Sequence, residues 1–368
     1  MTMKKRCVDL YMRILKLLVS ICCVAGCLWA GLAAREPTRA SRELRVSELQ
    51  LLGTHNSYHV APDKVAMELI RSVVPSEAKA IDVSQRALSE QLSHFGVRHL
   101  ELDLYLDPEG DLFHKPAAYL MALNQKVEVP EFDKNKKMFA PGIKILHSPD
   151  FDYRTTVYTL TDALSEIKEW SDVNQSHVPI FVLIELKSDS FSPLTRPILW
   201  DEKGFEELEK TILNVWPRDR ILTPDDVRGE KRTLREAVSG IGWPSVEKVR
   251  GKIGFLLDNE GKERDEYLSK SEILAGRLLF VSVDRRHPAA AWMKRNDPIG
   301  SFDEIRSLVD SGFLVRTRAD AGTIEARTND ETRLKKALSS GAQLISTDFL
   351  EADQRFSGYR VHLNRPPE

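Results

Sequence analysis

The chain has 368 residues, of which 42 % are apolar, and a formal net charge of −2. That length can bury a large core, and the near-balanced charge excludes the domain-wide basic surface that nucleic-acid binding requires. All four cysteines (Cys7, Cys22, Cys23, Cys27) fall within the first 27 residues, so the remainder carries no disulfide and no thiolate zinc site.

Residues 1–34 join a basic start (Lys4, Lys5, Arg6) to a charge-free run from Leu17 to Ala34. That layout predicts a signal peptide, with Gly31-Leu32-Ala33 as the cleavage site, or a retained N-terminal membrane anchor. Val24-Ala25-Gly26-Cys27 also resembles a lipoprotein cleavage box. In each case the expected location is extracytoplasmic: secreted, periplasmic or membrane-anchored. Removing residues 1–34 leaves a net charge of −6, so global charge does not draw the rest to anionic lipid. Residues 35–46 read as a polar linker and residues 47–368 as one catalytic domain.

Eight apolar runs follow in order: Leu51 to Thr54, His99 to Leu104, Ile143 to Leu146, Pro179 to Leu186, Lys252 to Leu257, Leu278 to Val283, Phe313 to Arg316, and Gln343 to Ser346. Continuous apolar strands alternating with helical patterns indicate a parallel sheet covered on both faces. Eight such units predict an α/β fold of the closed (β/α)₈ TIM-barrel type. Between the strands, Leu160, Leu164, Ile167 and Trp170 form a helical stripe. Ser301 to Glu304 fits a capping box, and Gly312 sits where that helix stops. Thr328 to Ser340 reads as one helix ended by Gly341, and Phe191 to Val249 as a helix plus an insertion over the barrel mouth.

Polar residues recur where these strands finish. His55-Asn56-Ser57 follows the first, and the second carries Glu101 and Asp103, two apart and therefore on one face. The third ends in His147, the fourth in Glu185 and Lys187, the seventh in Arg316 to Asp320, and the eighth in Thr347-Asp348. A parallel barrel gathers such termini into one cup. Asn56, Glu101, Asp103 and Glu185 offer only oxygen donors, the preference of a hard cation; Ca²⁺ is expected, with Mg²⁺ as second choice. His55 and His147 are candidates for acid and base on either side of a phosphorus centre, and Arg318 for gripping phosphate oxygens. Lys187 either touches substrate or pairs with a neighbouring carboxylate. Arg316 and Asp348 read equally well as an ion pair closing the barrel.

Taken together, Leu52-Gly53-Thr54-His55-Asn56-Ser57-Tyr58-His59, Leu100 to Asp103, Leu146 to Pro149, Pro179 to Lys187, Val315 to Asp320 and Gly341 to Asp348 resemble the bacterial calcium-dependent phosphatidylinositol-specific phospholipase C family. The resemblance spans nearly all of residues 47 to 350. It implies calcium ligands at Asn56, Glu101, Asp103 and Glu185, catalytic histidines at His55 and His147, and a substrate-phosphate contact at Arg318. It implies cleavage of phosphatidylinositol to diacylglycerol and an inositol cyclic phosphate open to further hydrolysis. A monomer working at a membrane surface is the expected form. The lysines that read extra inositol phosphates in eukaryotic relatives have no clear counterpart, which favours the plain lipid. Two other readings compete. One is a glycerophosphodiester phosphodiesterase on the same barrel, whose first motif usually reads His-Arg-Gly. The other is a non-catalytic head-group-binding protein.

Overall fold

The computed structural model describes residues 43–189 and 194–365; the leader, residues 1–34, lies outside them. Ten strands are present among the described residues: β1 (Leu51–Thr54), β2 (His99–Tyr105), β3 (Lys144–Ile145), β4 (Ile180–Leu186), β5 (Ile221–Leu222), β6 (Ile253–Leu257), β7 (Leu279–Val281), β8 (Trp292–Lys294), β9 (Leu314–Arg318) and β10 (Leu344–Thr347). Eight of them form a parallel ring. β10, β1, β2, β4, β6 and β7 pair in succession, and β8, β9 and β10 pair on the other side. The seam between β7 and β8 is held by a single parallel bridge, Ser282 to Trp292. The fold is an α/β TIM barrel.

The apolar runs make this ring because both faces of each strand are buried. β4 (Ile-Phe-Val-Leu-Ile-Glu-Leu) is buried at every position except Glu185. Outside it, the helix Leu160–Val173 lays Leu160, Leu164, Ile167 and Trp170 against the sheet, as its stripe predicts. Thr159 caps that helix by accepting from the Asp162 amide.

Two staves differ from the sequence expectation. Ile143 to Leu146 is not a stave: β3 is two residues long and antiparallel to the end of β2. Its run is apolar because Ile143 and Ile145 pack into the main core and Leu146 into a second apolar cluster, a burial that hydrophobicity alone does not distinguish from a barrel strand. The eighth stave is instead Trp292–Lys294, whose three residues are too short to show a pattern.

The segment expected over the mouth divides: Thr195 bonds Asp150 in the loop after His147, and the part beyond the next helix lies at the other end. β5 pairs with Ile253 and Gly254, the first residues of β6, so the segment after the helix Glu202–Val215 closes the N-terminal end of the barrel. There Trp243 is fully buried against Phe181 and Phe280, and its carbonyl accepts from Arg45. The mouth is overhung by the helices Lys64–Val73 and Pro75–Ala80, between β1 and β2. Two helix predictions change as well. Ser301 precedes Phe302–Asp310 without a side-chain cap bond. Thr328 to Ser340 breaks at Asn329, whose φ of +53° ends Ile324–Thr328 before Thr332–Ser339 begins.

Gly53 is a position where only glycine fits. It lies beside His99 of β2, and a Cβ there would stand 2.5 Å from the His99 ring. That close approach brings β1 onto β2 just before His55 and Asn56.

Candidate active site

β2 carries Glu101 and Asp103 inward, both buried, and the register sets Asp103 beside Glu185 of β4. One oxygen from each of Glu101, Asp103 and Glu185 lies within 4.8 Å of the others. Three carboxylates this close repel one another, and cations answer them. Arg316 reaches from β9 to Glu101. Lys187 Nζ stands 2.9 Å from Asp103 Oδ2 and 2.8 Å from Glu185 Oε1. Burial pushes the Asp103 carboxyl up, Glu185 adds to this, and Lys187 opposes it.

Asn56 takes the left-handed backbone conformation, φ +43°, directly after His55. Its Oδ1 and Asp103 Oδ1 are buried without a hydrogen-bond partner, while Asp103 Oδ2 faces the Lys187 ammonium. Unpartnered buried oxygens are costly, and a hard divalent cation is the partner such a donor set suits. These residues therefore fit Ca²⁺.

The two histidines each lean on a buried carboxylate. His55 Nδ1 is 2.8 Å from Asp348 Oδ1, and its Nε2 is 3.9 Å from Glu101 Oε1. Asp348 also accepts from Arg318 at 2.8 Å. Burial would raise its carboxyl, but His55 and then Arg318 hold it well below the usual range. His147 Nδ1 is 2.7 Å from Asp152 Oδ2, and its backbone carbonyl accepts from Tyr105 Oη at 3.0 Å. Burial alone would lower the His147 pKa; the hydrogen bond and charge of Asp152, with Asp103 behind, instead raise it to about 9.

The structure thus brings His55, Asn56, Glu101, Asp103, His147, Glu185, Lys187 and Arg318 to one end of the barrel. It does not pair Arg316 with Asp348. Register places Arg318 beside Ser346, two residues before Asp348, while Arg316 sits lower and meets Glu101. Sequence reasoning assigned no role to Asp152 or His59. Asp152 sits in a run with Asp150, and no periodicity indicates which of the two faces His147.

Two cavities meet at this end. A polar one of about 250 Å³ is walled by His55, Asn56, Arg318 and Asp348. An apolar one of about 260 Å³ is walled by Leu69, Ile70, Val73, Val74 and Phe151. His147, Glu77 and Ile81 line both.

A family model described as "Phosphoinositide phospholipase C, Ca2+-dependent" matches residues 44–366. The chain belongs to that family. This calcium-dependent phospholipase C member is therefore an enzyme of the phosphoric-diester-cleaving type. No curated relative matches it. Among solved structures it is similar to a calcium-dependent phosphoinositol-specific phospholipase C from a Gram-negative Pseudomonas species. That match has 14 % identity and a TM-score of 0.51, covering 84 % of this chain and 92 % of the other. It is also similar to a Ca²⁺-dependent phosphatidylinositol-specific phospholipase C from Streptomyces antibioticus, at 16 % identity and a TM-score of 0.50, covering 83 % and 95 %. At such identities the likeness concerns the barrel and its connectivity.

Proposed function

We infer that this family member cleaves phosphatidylinositol-type lipids between glycerol and phosphate, releasing diacylglycerol and an inositol phosphate that is cyclic at first. The observation that carries this reading is the meeting of a polar and an apolar cavity at His147. A phosphodiester with a polyol on one side and a lipid alcohol on the other matches that pair of compartments. The helix tip that borders the apolar one adds Val73, 78 % exposed, and Val74, 43 % exposed. Exposed aliphatic side chains beside an apolar groove suit a membrane surface.

His55 lines only the polar cavity, whereas His147 stands where the two cavities meet, which supports different roles for the two histidines. The head group belongs with His55, and the leaving glycerol with His147. Nδ1 of His55 donates to Asp348, which leaves Nε2 free to take the proton of the attacking inositol 2-hydroxyl. Nδ1 of His147 donates to Asp152, so its Nε2 proton passes to the glycerol oxygen as the phosphorus–glycerol bond breaks. Arg318 lines the polar cavity and offers N–H groups to the phosphate oxygens. Asn56, Glu101, Asp103 and Glu185 would hold Ca²⁺, with Lys187 yielding its two carboxylates or turning to substrate. Bound calcium lowers the pKa of the attacking hydroxyl and offsets charge on the phosphoryl oxygens. Residues 1–34 would export or anchor a monomeric enzyme, which fractionation of cells producing the full chain checks.

The decisive assay supplies phosphatidylinositol vesicles with Ca²⁺ or with chelator. Inositol cyclic phosphate should form first, chelator should abolish it, and His55→Ala and His147→Ala should each lower turnover by about a hundredfold or more. Faster turnover of glycerophosphoinositol than of the lipid would instead favour a glycerophosphodiesterase.

A further inference from the structure

His59 is 3 % exposed, and both its ring nitrogens are engaged. Nδ1 lies 2.9 Å from the Val83 carbonyl. Nε2 lies 2.9 Å from Asp152 Oδ1 and 3.1 Å from Oδ2. Two acceptors facing one imidazole leave it nothing to offer a substrate. The same Asp152 carboxylate receives His147 Nδ1, so it joins the two rings, which stand edge to face with centroids 5.9 Å apart.

The backbone holds this trio in place. His59 N donates to the Asn56 carbonyl, and His59 bridges antiparallel to Thr155, three residues beyond Asp152. Asp152 and Ser148 exchange backbone hydrogen bonds, which folds the loop after His147 back on itself. A carboxylate gripped from one side only keeps freedom to rotate about its own axis. With a second imidazole on it, its plane is set, and so is the direction in which His147 presents Nε2. His59 also faces Asp152 with a second donor, so His147 does not carry the whole interaction with the buried carboxylate. Its proton stays transferable.

We propose that His59 is a positioning residue for proton transfer to the leaving group: it orients Asp152, and through Asp152 it aims His147 at the departing oxygen. This rests on His147 being the acid of the proposed reaction. Its consequence is specific to the leaving group. A poor leaving group, an alkoxide, needs the proton, whereas a nitrophenolate departs without it.

The test compares inositol phosphodiesters bearing an alkyl or a nitrophenyl leaving group, using the full-length protein with Ca²⁺. His59→Asn keeps an amide donor near Val83 but cannot reach Asp152, whereas His59→Gln keeps a donor at the reach of Nε2. His59→Asn should lose about tenfold or more in kcat on the alkyl substrate and less than about threefold on the aryl one, with KM little changed. His59→Gln should recover most of the loss, and Asp152→Asn should reproduce the selectivity. Equal losses on both substrates, or identical behaviour of the Asn and Gln variants, would overturn the proposal. His147→Ala is the benchmark. If it is selective and His59→Asn is not, only the role of His59 fails. If His147→Ala loses both substrates equally, the acid assignment fails and the positioning role with it.

Discussion

His147 owes its high pKa chiefly to Asp152, with Asp103 adding to it, and this sets how the site answers to pH. The Asp152 hydrogen bond and charge outweigh burial and hold the imidazole up at about 9. Asp152 is itself lowered, because the pull of His59 and His147 outweighs its burial. Calcium at Asp103 would remove part of the upward pull on His147. With calcium bound, the alkaline limb of kcat should therefore fall between the ordinary histidine value and about pH 9. Asp152→Asn removes the main upward cause, so the limb should move down by about a unit or more, readable in a pH–rate profile. Stability follows the same sign. A raised histidine pKa stabilises fully below the ordinary histidine value, and that contribution is lost as pH rises through about 9. The Asp152 contribution runs the other way: it is present above the ordinary carboxylate value and fades as pH falls below it. The residue types gathered at this end were legible beforehand: His55 and Asn56 follow β1, Glu101 and Asp103 alternate within β2, and Glu185 closes β4, whereas His147 follows the short antiparallel β3 and not a stave. Their hydrogen-bond partners were not. Asp152, Asp348 and His59 reach their roles through loop geometry that no spacing encodes.

Among the elements, β1 and the helices at the mouth carry the most specific expectations. Gly53 lets His99 lie flat against β1, so Gly53→Ala forces overpacking at the strand that delivers His55 and Asn56. It should cost about 1–3 kcal/mol in denaturant unfolding and lower kcat beyond what the stability loss explains. At the rim, Val73→Asp with Val74→Asp places charge on the exposed tip beside the apolar cavity. Cleavage of vesicle-borne lipid should fall about tenfold, and cleavage of a dispersed short-chain lipid should change far less. The long staves were readable because five consecutive buried residues, Ile180 to Ile184 in β4, leave a continuous apolar run. β3 and β8 were not, for opposite reasons. The run around β3 is apolar without being a stave, and β8 is a stave too short to leave a run.

At the scale of the whole molecule, the inward carboxylates are a charge problem that the bare barrel solves only in part. Arg316 and Lys187 offset Glu101, Asp103 and Glu185, while Asn56 Oδ1 and Asp103 Oδ1 stay without hydrogen bonds. Calcium binding should therefore stabilise the fold by about 2.7 kcal/mol at a hundredfold excess over Kd, a rise in Tm of several degrees. Glu101→Gln combined with Asp103→Asn should erase that rise in a thermal melt, an outcome that does not depend on measuring activity.

The order of apolar runs and terminal polar residues determined the fold class, the oxygen-donor character of the site and the family it resembles. Each depends on local pattern: apolar runs mark the staves, and a strand's last residues emerge at the mouth wherever the strand sits. The tertiary structure alone decided which run closes the ring, which end the tryptophan-rich insertion plugs, and which carboxylate holds each histidine. These depend on register and on loops that meet from distant parts of the chain. His55 and Asp348 are 293 residues apart in sequence and 2.8 Å apart in space.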